Sequence, residues 1–227
     1  VYRDFTVSEL IAQGLPISLT LGGLAILLAL LIGVTGGLFS AVRAGRAADK
    51  IIMMLATVAT ALPTFVTGPA LALFLGLWLG LLPVSGTGQG AAWLVMPVMA
   101  LALPVAGAIA KLTRAGLATV LQQDHIRTAR ARGLSETKIL FKHGLRPALV
   151  PVASYLGPAA AGLLTGAVVV ETVFGLPGLG RYFVQGALNR DYPLVLGVVT
   201  LYAALIILFN LFADLIYGWL DPRMREG

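Results

Sequence analysis

The stretch from Ile51 to Ala110 contains no charged side chain over 60 residues. A helix rises about 1.5 Å per residue, so about 20 apolar residues cross the roughly 30 Å hydrocarbon core of a bilayer. One break divides the stretch, a run of turn-forming residues from Pro83 to Gly90. The stretch therefore predicts two membrane spans joined by a short loop, and the chain is expected to be a membrane protein.

Apolar runs long enough to cross a bilayer recur along the whole chain. There are five: Leu15–Val42, Ile51–Leu82, Ala91–Leu112, Pro147–Val170 and Tyr192–Leu220. Backbone groups in lipid have to form hydrogen bonds within their own segment, and these runs do not alternate as barrel strands do. The predicted fold class is an all-α membrane protein, a polytopic helical bundle of five transmembrane helices.

The distribution of positive charge predicts the orientation. Thirteen of the 16 Lys and Arg residues fall on one side of the predicted spans, and the positive-inside rule assigns that side to the cytoplasm. The chain's N-terminus is then outside and its C-terminus inside. The predicted regions are an external segment 1–14, a transmembrane domain 15–220 with a cytoplasmic loop 122–146, and a cytoplasmic tail 221–227. Within the external segment, Val7–Gly14 is expected to form a short interfacial helix capped by Ser8.

Several classes of function are excluded by what the sequence lacks. Cysteine is absent, which removes disulfides and thiolate chemistry. The two histidines, His125 and His143, lie on the cytoplasmic side and do not predict a metal site. The basic residues alternate with apolar runs, so we expect no nucleic-acid partner. No Gly-x-x-x-x-Gly-Lys-[Ser/Thr] loop occurs, so we predict neither an enzyme nor a bound cofactor.

The cytoplasmic segment from Asp124 to Arg146 predicts two short helices. Asp124 is expected to cap the first helix, and Gly133 to end it in a left-handed conformation. Ser135 is expected to cap the second, which should run to about His143. Gly144 and Pro147 are then expected to break the chain before it re-enters the membrane.

The first of these helices has the pattern of a docking helix. Ile126, Ala129 and Gly133 share one face, and small residues there let the backbone of another protein approach closely. Arginines that could pair with acidic groups surround this face; they are Arg127, Arg130 and Arg132. The alternative interpretation is a solvated basic loop that touches anionic membrane lipid.

The order of residues in this segment resembles the EAA loop of binding-protein-dependent ABC importer permeases. The Ala-x-x-x-Gly core of that loop is similar to Ala129–Gly133, and the longer string Ile126–Leu134 resembles the peptide-importer branch. Further similarities occur along the chain, at 63–68 with 82–86, at 170–180 and at 214–223. His125 stands where the family often has Tyr. Members usually have six spans, so this chain resembles a MetI-like permease domain without the first.

This resemblance implies a permease subunit that moves peptides or similar small solutes across a bacterial or archaeal inner membrane. A separate cytoplasmic ATPase would supply the energy and grip the coupling residues, which are Ile126, Arg127, Ala129, Arg130, Arg132, Gly133, Leu134 and Ser135. A second permease subunit, identical or related, would complete the path. An external solute-binding protein would meet the loop that carries Glu171, Phe174, Pro177, Gly178 and Gly180. Dipeptides, oligopeptides, glutathione and nickel chelates all remain open as substrates.

Some alternatives stay open on the sequence alone. Phe174 and the Gly/Pro run Gly175–Gly180 fit a buried re-entrant turn and a plain connecting loop equally well. Glu171 and Asp214 are the acidic groups at or near bilayer depth, which makes each a candidate for function, or for a simple pairing with a neighbour or with water. A stand-alone ion-coupled carrier or channel, and a structural membrane scaffold, are the alternative functions.

Overall fold

The computed structural model describes residues 5–86 and 90–220, and all regular structure in these ranges is helical. This confirms the predicted all-α class. The helices are α1 Val7–Val42, α2 Ala47–Ala61, α3 Thr64–Leu71, α4 Ala92–Val120, α5 Asp124–Ala131, α6 Glu136–Lys138, α7 Leu145–Ala148, α8 Val150–Val173, α9 Leu179–Leu188 and α10 Tyr192–Leu220. Two π-helical segments, Ala72–Trp78 and Ile139–Gly144, continue α3 and α6.

Four helices, α1, α4, α8 and α10, are long and apolar enough to cross a membrane, and α2 with Thr64–Trp78 forms a bent pair that makes a fifth candidate. The predicted second span is therefore broken. The break lies at Leu62 and Pro63, where Pro63 has an extended backbone with φ −64° and ψ 148°. Proline disfavours the helical conformation of the residue before it, so α2 ends there and α3 begins anew.

The first helix starts earlier than the predicted span and ends at Val42, as predicted. It is continuous from Val7 to Val42, so Val7–Gly14 is not a separate interfacial helix. Thr6, rather than Ser8, caps it: the Thr6 hydroxyl accepts a hydrogen bond from the Glu9 amide at 3.3 Å, and the Glu9 carboxylate accepts one from the Thr6 amide at 2.8 Å. This reciprocal pair is a capping box, which fixes the start of the helix.

The chain divides into two compact units. The first contains the described residues up to Leu28, together with Ala61–Pro104 and Ala160–Leu208. Its core holds α9 against the first turns of α1 and α10. The buried side chains of this core are Leu10, Leu179, Tyr182, Leu194 and Val198.

The second unit contains Ala29–Thr60, Val105–Ala159 and the described residues from Phe209 onward. Here α1 and α4 approach so closely that a Cβ on Gly37 would lie 2.5 Å from the Ala110 carbonyl oxygen. The same closeness recurs between α4 and α7, where a Cβ on Gly116 would lie 2.5 Å from the Ala148 oxygen. Small residues at helix contacts are the usual means of close packing in membranes.

Candidate functional site

The segment that was predicted to be cytoplasmic forms a bent structure of α5, a turn at Gly133 and α6, which we call the elbow (residues 124–138). The prediction that Asp124 caps α5 is wrong. Gln123 occupies the cap position, with an extended backbone and no capping side-chain hydrogen bond, and Asp124 is the first helical residue. A carboxylate in the first turn still interacts favourably with the helix dipole.

The turn of the elbow is a Schellman motif, and the predicted left-handed end at Gly133 is confirmed. Gly133 has φ +75°. Its amide donates to the Arg130 carbonyl at 2.9 Å, and the Leu134 amide donates to the Ala129 carbonyl at 3.3 Å. These two bonds satisfy the last carbonyls of α5. Leu134 packs against the cluster that contains Ala129, which supplies the apolar contact typical of this motif.

The second helix of the elbow begins as predicted and continues further. The Ser135 hydroxyl accepts a hydrogen bond from the Lys138 amide at 3.4 Å, which confirms Ser135 as its cap. The predicted break at Gly144 is wrong, because the chain remains helical through Ile139–Gly144 and on to Ala148. The helix does end next to Pro147, since α7 ends at Ala148 and α8 begins at Val150. Gly144 instead permits close packing, since a Cβ there would lie 3.2 Å from the Leu117 side chain.

The face of α5 that was predicted to meet a partner is buried within this chain. Ile126 is 0% exposed and Ala129 is 7% exposed. Both belong to a core cluster with Leu117 and Val120 of α4 and Ala41 of α1. The physical reason is that α5 is amphipathic and its one apolar stripe is used to attach it to α1 and α4. The exposed contact ridge expected on this stripe is therefore absent, although Gly133 itself is exposed.

The three arginines of the elbow differ in their contacts. Arg130 forms a two-pronged ion pair with Glu136, with distances of 2.8 Å from Nε to Oε1 and 3.1 Å from Nη2 to Oε2. These hydrogen bonds from Arg130 lower the pKa of the Glu136 carboxyl and raise the pKa of the Arg130 guanidinium. Arg127, with a 72% exposed side chain, lies 3.4 Å from the exposed Asp124 carboxylate. Arg132 is exposed.

The second group of predicted site residues surrounds a buried carboxylate. Glu171, near the end of α8, is 0% exposed. Its Oε1 accepts a hydrogen bond from the Ser18 hydroxyl at 2.6 Å, and its Oε2 accepts one from the Gly180 amide at 2.7 Å. The Ser18 hydroxyl oxygen in turn accepts from the Leu179 amide at 2.9 Å. Glu171 and Ser18 thus satisfy two of the free amides at the N-terminus of α9, whose cap residue Gly178 has no side chain to do so.

The loop between α8 and α9 is folded tightly around this carboxylate. A Cβ on Gly178 would lie 2.3 Å from the Glu171 Cδ, so only glycine fits at this distance. Phe174 is 1% exposed, and its carbonyl accepts a hydrogen bond from the Gly86 amide at 3.1 Å. Pro177 is half-buried. The loop is therefore a compact buried turn rather than an open connection, and Glu171 has a structural pairing.

Sequence reasoning missed a second buried carboxylate, Asp49, which is 3% exposed. Arg114 of α4 donates to it from Nε at 2.6 Å and from Nη2 at 2.7 Å. The sequence did contain a signal for this pair. Asp49 is an acidic residue among the basic residues that follow the first span, and Arg114 is a charged residue near the end of the third span. Among the described residues no group of three or more His, Cys, Asp or Glu is arranged to hold a metal.

The sequence of this chain is similar to peptide permeases. Residues 33–226 match the family model of the binding-protein-dependent transport system inner membrane component. The chain is 44% identical over 225 residues to the oligopeptide transport system permease protein OppB of Haemophilus influenzae, covering 99% of this chain and 74% of that protein. It is 39% identical over 220 residues to the dipeptide transport system permease protein DppB of Bacillus subtilis, covering 97% of this chain and 71% of that protein.

The fold is similar to permease chains of solved ABC transporters. An inward-facing structure of the MetNI methionine ABC transporter matches with a TM-score of 0.78 at 18% identity, covering 94% of this chain and 97% of that one. An amino acid ABC transporter matches with a TM-score of 0.71 at 18% identity, covering 92% and 94%.

The candidate spans, the family match and the similarity to peptide permeases define a multi-pass inner-membrane permease of the ABC importer class. The chain belongs to the family of binding-protein-dependent transport system inner membrane components. Such a permease works with an ATP-binding subunit and a substrate-binding protein. The predicted family and transport class are thereby confirmed.

Proposed function

We propose that this chain is the permease subunit of an importer whose substrates are peptides. The support is the 44% and 39% identity to permeases named for oligopeptide and dipeptide transport, over nearly all of this chain. The chain would form a pathway with a second permease subunit, and a separate ATPase would supply the energy. A peptide has a polar backbone and charged ends, so its passage requires a protein-lined path that shields it from lipid.

We further propose that the elbow is where the ATPase docks. The observation that carries this proposal is the division of α5 into a buried and an exposed side. Ile126 and Ala129 attach the helix to α1 and α4, while Arg127, beside Asp124, and Arg132 are exposed. Arg130 is engaged with Glu136 and acts to hold the bend. A force applied to the exposed side would thus pass directly into the membrane helices through the buried side.

The proposed orientation has the elbow in the cytoplasm and the chain's N-terminus outside. Among the described residues, the first compact unit contains two Lys or Arg residues, Arg181 and Arg190, whereas the second unit contains the elbow and 11 Lys and Arg residues. The positive-inside rule favours the cytoplasm for the ends of the spans that carry them. The buried turn from Glu171 to Gly180 would then belong to the external side, where a solute-binding protein delivers the substrate.

A cross-linking experiment tests the docking proposal. The chain has no natural cysteine, so single cysteines report single positions. Arg132→Cys on the elbow should cross-link to the ATPase subunit through a short thiol-reactive reagent. Ala44→Cys, exposed in the turn between α1 and α2, is the matched control at another exposed position of the same unit. Absence of a cross-link from Arg132→Cys in an assembled complex would overturn the docking site.

A transport experiment tests the substrate class. The complete importer in proteoliposomes should take up labelled peptides when ATP and the binding protein are present on the proper sides. The matched control replaces ATP with an imposed ion gradient. Uptake driven by the gradient alone, in the absence of the ATPase, would instead support the ion-coupled carrier. ATP-driven uptake of another solute class with no peptide uptake would refute the proposed substrates.

A further inference from the structure

The buried carboxylate of Asp49 is held by donors from several parts of the second unit. The Arg114 guanidinium donates two hydrogen bonds to it, from Nε to Oδ1 and from Nη2 to Oδ2. The Ser40 hydroxyl, in the last turn of α1, donates to Oδ1, and the Gly45 amide, in the turn between α1 and α2, donates to Oδ2 at 2.8 Å. The carboxylate accepts four hydrogen bonds in all, two at each oxygen. One side chain thus joins α1, the following turn, α2 and α4.

A contact of this kind is better suited to fixing geometry than to adding stability. The Asp49 carboxylate is buried, while the Arg114 side chain is 34% exposed. Removing the carboxylate from water carries a cost, which its attraction to Arg114 offsets best when its remaining hydrogen-bonding positions are also filled. Apolar replacement of both members of a buried pair is often neutral for stability. A planar guanidinium bonded at two points does, however, restrict both the distance and the angle between the elements that it joins.

The same helix segments that hold Asp49 also hold the elbow. On α4, Arg114 lies three residues before Leu117, and on α1, Ser40 is directly followed by Ala41. Leu117 and Ala41 both belong to the core cluster that contains Ile126 of α5. The ion pair and the elbow are therefore attached to adjacent turns of the same two helices.

We propose that Asp49 and Arg114 are positioning residues for energy coupling, which make the end of α1, the turn after it and α4 move as one rigid body with the elbow. This inference rests on the proposed docking of an ATPase at the elbow. A push on α5 reaches α4 and α1 through apolar contacts, which resist compression but allow sliding. The bidentate ion pair between Asp49 and Arg114 resists sliding of α4 against α1 and α2. The displacement of the elbow is therefore carried along these helices and is not lost at their cytoplasmic ends.

A distance measurement tests the rigid-body part directly and needs no substrate. Spin labels are placed on Ala44→Cys in the turn and on Thr137→Cys in the elbow; both positions are exposed and the chain offers no competing thiol. The assembled complex should give one narrow distance that is the same with and without ATP. Arg114→Lys keeps the positive charge but cannot form the bidentate hydrogen bonds to Asp49, so it should broaden the distribution of distances between the two labels. An unchanged narrow distribution in Arg114→Lys would overturn the proposal.

A transport measurement tests the consequence for coupling. The double variant Asp49→Leu/Arg114→Met removes both charges together and leaves no unpaired ion. Arg46→Met, an exposed cation of the same turn, is the matched control. The double variant should assemble and hydrolyse ATP like the control, while the substrate moved per ATP falls about tenfold, within the range of known coupling effects. An undiminished ratio would refute a positioning role, as would a loss of assembly that reduces both activities equally.

The two proposals can fail separately. If the wild-type complex shows no peptide uptake but Arg114→Lys broadens the label distance, the substrate assignment is wrong and the rigid-body inference stands. If peptide uptake is normal and the distance is insensitive to the ion pair, the inference is wrong and the proposed function stands.

Discussion

The close contact between the first turn of α9 and α8 at Gly180 supports a quantitative prediction. A Cβ placed on Gly180 would lie 2.3 Å from the Val168 Cα and 2.9 Å from the Glu171 Oε2. Gly180 is not among the residues with positive φ, so the obstacle to alanine is space and not backbone conformation. Since the first neighbour is a backbone atom of α8, no rotation of a side chain can relieve the contact.

The cost of Gly180→Ala follows from this geometry. Carbon atoms pack at about 3.5–4.0 Å, so the loop has to move by about 1 Å. That movement breaks the 2.7 Å hydrogen bond from the Gly180 amide to Glu171. Overpacking costs about 1–3 kcal/mol, and loss of a hydrogen bond to a buried charged group costs about 1.5–3 kcal/mol. We expect the free energy of unfolding to fall by about 3–5 kcal/mol.

Purified protein in one detergent provides the assay, with thermal unfolding followed by tryptophan fluorescence. The matched control is Gly162→Ala, because Gly162 also lies in unit 1 and a Cβ there meets nothing within 4 Å. Gly180→Ala should unfold at a clearly lower temperature, and Gly162→Ala at or above the wild-type temperature, since alanine favours helix. Equal midpoints for Gly180→Ala and wild type would refute the packing of this loop.

The other predictions concern the elbow. Gly133→Ala and Gly133→Leu should lower the free energy of unfolding by a similar amount, about 1 kcal/mol, because φ is +75° and there is open space around the position. A greater loss of ATP-coupled uptake in the leucine variant than in the alanine variant would indicate that a partner packs against Gly133, and equal uptake in the two variants would contradict such a partner. Ile126→Ala should destabilise the protein by about 2–5 kcal/mol in thermal unfolding, whereas Arg127→Ala should change it by less than about 0.5 kcal/mol, and similar losses in both would contradict the burial of α5. The ion pair with Arg130 lowers the pKa of the Glu136 carboxyl, so the stabilisation that this pair gives the folded protein is fully present above the unfolded pKa of about 4.3 and is lost as pH falls through the lower folded pKa. A ¹³C NMR titration of the Glu136 carboxyl should show the lowered midpoint, and Arg130→Gln should return it to the ordinary value; an unchanged midpoint in Arg130→Gln would contradict the ion pair.

The sequence was sufficient for features that depend on local chemistry. Apolar runs predicted the helical membrane class because lipid leaves the backbone few alternatives. The turn at Gly133 and the cap at Ser135 were predicted correctly because each depends on residues within one turn of the helix. The resemblance of the elbow to the EAA loop led to the right family, since the order of residues there is distinctive.

Features that depend on distant residues were missed. The apolar stripe of α5 could be recognised, but its partner could not: the sequence does not say whether Ile126 faces another subunit or α4 of the same chain. Asp49 and Arg114 are 65 positions apart, and no local pattern pairs them. Glu171 was singled out for its depth, but its role depends on Ser18, which is 153 positions away.

The π-helical segment Ile139–Gly144 sets which part of this connection can lose a residue. A π turn holds about one residue more than an α turn, so it accommodates an extra residue without rotating the helical turns on either side of it. Removing one residue from Ile139–Gly144 would therefore leave a continuous α-helix with nearly the same phase on both sides. Removing one residue from α7 would instead rotate the following residues by about 100°, the angle of one α-helical step, and would turn Ala148 away from its close contact with Gly116. Single-residue deletions should therefore be tolerated better inside the π-helical segment than in α7, which makes this segment the place where the permease can change the length of the connection and keep its packing.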